Sequence, residues 1–150
     1  MPTTEMTEIA ERNRDVVRRL YDSVMSGDLA GIAPLRSADY RVTQAPGHPV
    51  PGTRIGDDAS AAGGLVFSAL GIEGLTVQEI VADGPYRVIG LVELYGKDAD
   101  GQPWTMPVAE CFKVENGVIT DIRPYYWDMV EVQRIAGTPR RLKPLENRSA

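Results

Sequence analysis

Glu110 sits where a carboxylate is costly. Trp104, Met106, Val108, Glu110, Phe112 and Val114 fall on one side of a period-two strand, and all but Glu110 are apolar. An ionised Glu on such a face is heavily penalised unless paired. The position therefore implies a protonated acid, an ion pair, or a cavity wall used for acid/base chemistry. Glu93 repeats the pattern, sharing its face with Ile89, Leu91 and Tyr95. A turn centred on Ala99-Asp100 sets Glu93 near Met106, about 13 Å along the strands from Glu110. The two acids would then work at opposite ends of a long substrate, one protonated and one ionised, unless Glu93 is simply solvated at the sheet's end. Gln44 closes a short strand run and suits orientation of a carbonyl or a water, because it does not titrate. His48 is the sole histidine. Its pKa range suits proton transfer, although its Pro- and Gly-rich loop makes solvent exposure the simpler expectation. Tyr40, Tyr95, Trp104 and Tyr126 read first as core aromatics and second as pocket walls with phenol donors.

The environment of Glu110 depends on the turn at Asn116-Gly117. A two-residue hairpin sets Arg123 opposite Glu110, which makes a structural ion pair. A three-residue loop over Glu115-Asn116-Gly117, with a bulge at the glycine, sets Ile122 opposite and turns Glu110 toward a cavity with Pro124 and Tyr126.

The elements that position these residues follow from periodicity. Ile9, Val16, Val17, Leu20, Tyr21 and Val24 recur at helical spacing between a Thr7 cap and Gly27. On this pattern Tyr21 is a packing residue. Asp28 caps a short second helix. Tyr40 to Gln44 form a short strand, and the segment from Ala45 to Gly56 is too rich in proline and glycine to be regular. A third helix follows Asp57 or Asp58, with Ala62, Leu65, Val66 and Ala69 as its buried stripe. From Leu75 the period changes to two for four antiparallel strands. Asp128 caps a last helix, and a basic tail closes the chain. Helices followed by a run of strands indicate an α+β fold. We expect one domain over residues 1–136 and a loosely structured tail over 137–150.

Composition narrows the function classes. The net charge is −5, and no basic run is interleaved with aromatics, which argues against nucleic acid or an anionic membrane as partner. The chain shows neither a signal-peptide pattern nor an apolar run of about 20 residues. Cytoplasmic location is expected. One Cys and one His make no metal-ligand cluster, and no dinucleotide, phosphate or nucleophile-elbow motif is present, so no cofactor is expected.

The order helix, short helix, strand, helix, four strands, with GDLAGI near the start and FKVENGVITDIRPYYWD near the end, resembles the nuclear transport factor 2-like superfamily. Within it the chain is most similar to SnoaL-like polyketide cyclases, then to limonene epoxide hydrolases and ketosteroid isomerases. The resemblance spans about residues 8 to 136. It implies a cystatin-like cone, with a curved, mostly antiparallel sheet packed against three N-terminal helices around an apolar pocket, and a homodimer through the sheet's other face. The isomerases' oxyanion tyrosine, carboxylic acid and proton-moving aspartate correspond to Leu20, Glu110 and Gln44. The hydrolases' Arg, two Asp, Tyr and Asn correspond to Leu91, Glu93, Pro124, Val42 and Gln44. The cyclases' catalytic Asp again falls at Pro124, and their histidine at Glu110. The resemblance thus implies a cofactor-free cyclase or isomerase acting on an apolar, oxygenated polyketide or epoxide-bearing intermediate. Glu110 would be the acid/base, and Glu93 or Gln44 would polarise the reacting oxygen. Tyr40, His48, Leu91, Tyr95, Trp104, Met106, Val108, Phe112, Ile122, Pro124 and Tyr126 would line the pocket. An epoxide hydrolase or a non-catalytic ligand-binding dimer are the alternatives.

Overall fold

The structure is a computed structural model that describes residues 3–137. Helix α1 (Thr4–Ser26) begins one turn earlier than its periodicity suggests, because Thr3 rather than Thr7 caps it by accepting from the Met6 amide. Gly27, with φ of 71°, ends it in the left-handed conformation. Helix α2 (Leu29–Ile32), capped by Asp28, runs into a 3-10 turn at Ala33–Leu35. Strand β1 (Arg36–Gln44) starts four residues before the apolar alternation shows it. The proline- and glycine-rich segment is not wholly irregular, since it contains strand β2 (Gly52–Ile55), paired antiparallel with β1. Pairing to a neighbour, rather than local propensity, makes it a strand.

Helix α3 (Asp57–Leu70) has Gly56 before its first turn and no side-chain cap; Asp57 and Asp58 lie within the turn. Its buried stripe is Ala59, Ala62, Val66 and Leu70, so Leu65 faces outward. Strands β3 (Ile72–Ala82), β4 (Arg87–Lys97), β5 (Pro103–Glu115) and β6 (Val118–Tyr126) follow, and α4 (Met129–Ile135) is capped by Asp128. The basic tail, from residue 138 on, lies outside the described residues.

The sheet order is β2-β1-β6-β5-β4-β3, antiparallel except where β1 lies parallel to β6. It is a curved, open sheet of the cystatin-like kind, with β2 and β3 at its edges. The helices cover one face and bury Val17, Leu70, Val88, Val92, Phe112, Val114 and Ile119 almost completely. No described helix is long and apolar enough to cross a membrane.

Two registers decide what the sheet presents inward. Asn116 (φ 52°) and Gly117 (φ 79°) form a two-residue turn, with Glu115 opposite Val118. The register then shifts between Lys113 and Val114, where β6 carries one extra residue. Glu110 consequently faces Pro124, while Arg123 pairs with Cys111 on the other face. Neither Arg123 nor Ile122 is its partner, because the bulge lies inside β6 and not at the turn.

On β4 the inward residues are Val88, Gly90, Val92 and Leu94. Glu93 therefore points outward, opposite Pro107 rather than near Met106. Ile89, Leu91 and Tyr95 share that outer face. The inward face of β4 looks less apolar than the outer one because glycine occupies two of its positions, Gly90 and Gly96.

Candidate active site

One row of inward positions crosses the sheet at the level of Glu110. Gly90 on β4 is its neighbour on one side and Pro124 on β6 on the other. Beyond Pro124 the parallel pairing of Val42 with Ile122 carries the row to Gln44. Helix α1 closes over it. Tyr21 reaches down from the helix and its hydroxyl donates to Glu110 Oε1 at 2.9 Å. Only glycine at position 90 permits this, since a Cβ there would overlap the Tyr21 hydroxyl. The Tyr21 ring also meets the fully buried Phe112 edge-on, with centroids 6.0 Å apart.

This pair opens onto a cavity of about 190 Å³ between the sheet, α1 and α3. Its walls are mostly apolar, with Leu20, Val24, Val66, Leu75, Val108 and Ile122 among them. Polar atoms come from Tyr21, Tyr40, Gln44, Ser60, Glu110, Tyr126 and two arginines, Arg36 and Arg54. Gly63 of α3 lines the cavity with no atom near its missing Cβ, so it adds open space.

Burial pushes the Glu110 carboxyl above its ordinary pKa, and the hydrogen bond from Tyr21 only partly opposes this. The acid is thereby held toward its protonated form. Tyr21 is raised by burial, then by the charge and hydrogen bond of Glu110. Tyr126 is raised by burial and by Glu110, against a hydrogen bond from the Gln44 side chain. Neither phenol ionises in the neutral range, so Tyr21 donates to Glu110 and Tyr126 keeps a hydroxyl proton at the cavity wall. The Gln44 Oε1 atom is buried and unpartnered, an acceptor available to a ligand.

Of the positions read as candidates from the sequence, Tyr40, Gln44, Val108, Glu110, Ile122, Pro124 and Tyr126 line the cavity. The others do not. Trp104 donates through Nε1 to the Leu70 carbonyl at 3.0 Å and packs with Met106 and Phe112 in the core. Leu91, Glu93 and Tyr95 are on the outer sheet face. His48 is not solvent-exposed: it is 3% exposed, and its ring lies 5.1 Å from that of Tyr126, one layer behind the cavity wall. Burial lowers its pKa to about 4. The sequence pattern gives Arg36, Arg54 and Ser60 no role, and it makes Tyr21 a packing residue where the structure gives it a hydrogen bond to Glu110. The resemblance matches the isomerases' tyrosine to Leu20, whereas the residue that reaches the acid is the next one along, Tyr21. Among the described residues no group of three or more His, Cys, Asp or Glu could hold a metal ion.

A family model for the SnoaL-like domain matches residues 17–122. The chain belongs to the SnoaL-like family. No curated protein matches this SnoaL-like sequence. Solved structures do match its fold. Bal32a, from a soil-derived mobile gene cassette, shares 21% identity at a TM-score of 0.77, covering 85% of this chain and 98% of its own. A protein described as a SnoaL-like polyketide cyclase from Jannaschia sp. shares 19% at 0.72, covering 93% and 99%. TerC, co-crystallised with polyporic acid, shares 18% at 0.71, covering 84% and 98%.

Proposed function

We propose that this SnoaL-like protein is a cofactor-free cyclase or isomerase that opens an epoxide, or polarises a carbonyl, in an apolar oxygenated intermediate of the polyketide type. The observation that carries this reading is the Tyr21–Glu110 pair, a buried acid held toward its protonated form on the wall of an apolar cavity. The chemistry follows from it. Glu110 gives its proton to the epoxide oxygen as the carbon–oxygen bond breaks, and Tyr21 stabilises the carboxylate that remains. A hydroxyl of the same substrate, donating to the Glu110 carboxylate, attacks the opened carbon and surrenders that proton to it, while the alcohol formed from the epoxide oxygen donates to Gln44 Oε1. One ring forms, the enzyme is restored, and no atom is gained or lost. The pair resembles the tyrosine and carboxylic acid that hold the oxyanion in ketosteroid isomerases, with Gln44 where those enzymes keep a base. Proton return to Glu110 itself answers that difference.

Nothing in the geometry favours the epoxide hydrolase alternative, because Leu91 and Glu93 lie outside the cavity. The two are separated by running the reaction in ¹⁸O-labelled water. Intramolecular cyclisation incorporates no solvent oxygen, whereas one labelled oxygen per product points to hydrolysis and sinks the proposal.

We further propose a homodimer through the outer sheet face, where Tyr125 is 55% exposed, Tyr95 is 37% exposed and Leu91 is half-buried. A second copy of this chain would cover that apolar surface. Sedimentation equilibrium is expected to show a dimer for the wild type and a monomer for Leu91→Arg. A monomeric wild type at micromolar concentration removes the assignment.

A further inference from the structure

The chain is acidic overall, yet the charges facing its cavity are cationic. Arg36 and Arg54 both line it, and neither has a carboxylate partner among the described residues; the ion pairs there are Arg19–Asp15, Lys113–Glu115, and Arg134 with Asp98 and Glu131. Each has a buried Nε with no hydrogen-bond partner. The only carboxyl among the lining residues is Glu110, which burial holds toward neutrality. A half-buried guanidinium without a counter-anion is unfavourable in the empty protein, and the cost is recovered when an anion binds.

The two arginines are positioned by separate elements. Arg36 opens β1, and its guanidinium donates to the Tyr40 hydroxyl at 2.8 Å and toward Ser60 Oγ of α3 at 3.4 Å. Tyr40 and Ser60 are themselves hydrogen-bonded at 2.7 Å, so three polar side chains form one braced cluster. Arg54 lies on β2 directly opposite Val42, and Gly52, two residues before it on the same strand face, has nothing near its missing Cβ and leaves that side open. Its strand is three places from that of Glu110, about 14 Å across the sheet at the usual strand spacing. The Arg36 guanidinium, held at Tyr40, the inward position next to Val42, lies on the same side, so the cavity has a cationic end and a proton-donating end.

The geometry points to an anion subsite formed by Arg36 and Arg54, which selects substrates bearing a carboxylate or an equally acidic enol at the end of the skeleton away from the reacting oxygen. This rests on the reading of the cavity as a substrate site and adds the chemical class that enters it. Two separate guanidinium groups suit a planar, two-oxygen anion better than a single point charge.

The test uses an isosteric pair, 2-naphthoate and 2-naphthamide, titrated into the full chain by calorimetry at low and high salt. Wild type is expected to bind the carboxylate about 10–100-fold more tightly than the amide, as for hydrogen bonds to a charged group. Arg36→Met/Arg54→Met is expected to bring the two ligands to parity, and Arg36→Lys/Arg54→Lys to keep part of the preference. A cooperative thermal melt close to that of the wild type shows that the variants fold. Equal affinities in the wild type, absence of naphthoate binding up to millimolar concentration, or a preference that survives the double Met variant overturns the subsite. Catalysis fails separately. An intact carboxylate preference together with full turnover in Glu110→Gln removes the acid/base mechanism and leaves the anion subsite standing.

Discussion

Glu110→Gln is expected to lower turnover by about 10²- to 10⁴-fold, the range for loss of a positioned general acid, while the protein stays folded. The substitution is nearly isosteric, and the amide oxygen still accepts from Tyr21, so the row Gly90–Glu110–Pro124 keeps its packing. What disappears is the transferable proton. Linkage gives an independent sign. The folded carboxyl has a raised pKa, so the native state holds a proton that the unfolded chain releases, and this contribution to stability is fully present below the unfolded value. It is lost as pH rises through the folded pKa. Wild type should therefore lose stability over that window on the alkaline side of the ordinary Glu range, and Glu110→Gln should not. Tyr21→Phe acts on the same group from the other direction. Removing the donor that opposes the shift raises the pKa of Glu110 further and moves the alkaline limb of the pH–rate profile upward. Full turnover in Glu110→Gln on the true substrate, with normal melting, would remove Glu110 from the chemistry.

The sequence reveals Glu110 because one carboxylate interrupts five apolar positions on a single strand face, a violation that survives any small error in register. It reveals the α+β order for a similar reason, since the change from helical to period-two spacing near Leu75 is carried by many residues at once. Features that depend on a single residue's displacement are less legible. The extra residue in β6 leaves no signature in composition, yet it replaces both expected partners of Glu110 with Pro124. On β4, alternation shows itself through side-chain apolarity, and glycine has none, so the pattern points to Ile89, Leu91, Glu93 and Tyr95 as the buried face while the structure buries the alternate set. Gly90 was the available clue. A glycine within a strand marks close approach by something else, here the hydroxyl of Tyr21. Tyr21 itself shares a helical stripe with Leu20 and Val24, and nothing in that spacing distinguishes a packing ring from one whose hydroxyl reaches an acid. Arg54 was hidden in a segment whose prolines and glycines allowed no strand face to be assigned. Pairing with β1 supplied the face.

Acidification from pH 6.5 to about 4 is expected to destabilise the wild type through His48 by roughly 2–3 kcal/mol, which His48→Asn should largely abolish. The histidine is buried against Tyr126, and its Nδ1 accepts the Val50 amide hydrogen at 3.0 Å, while Nε2 is buried without a partner. With Nδ1 committed as an acceptor, the neutral ring carries its proton on Nε2. A second proton would have to enter at Nδ1, facing the Val50 N–H, inside a site that already penalises charge. Burial, which penalises the charged ring, takes the folded pKa to about 4 from 6.5. The unfolded chain binds the proton first as pH drops, so stability is lost across that window and is flat above it. Asparagine at position 48 does not titrate, and its side-chain oxygen can accept from the amide two residues on. Asp98 and Glu131, whose carboxyls are held below the usual range by local hydrogen bonds including those from Arg134, also lose stability in acid. They do so equally in both proteins. The difference between wild-type and His48→Asn melts at each pH therefore isolates the imidazole, and parallel curves from pH 6.5 to 4 would show that His48 is not buried as a neutral ring. Because His48 packs directly behind Tyr126, the same protonation acts on a wall of the cavity, so naphthamide affinity should fall with the stability in wild type and hold in His48→Asn.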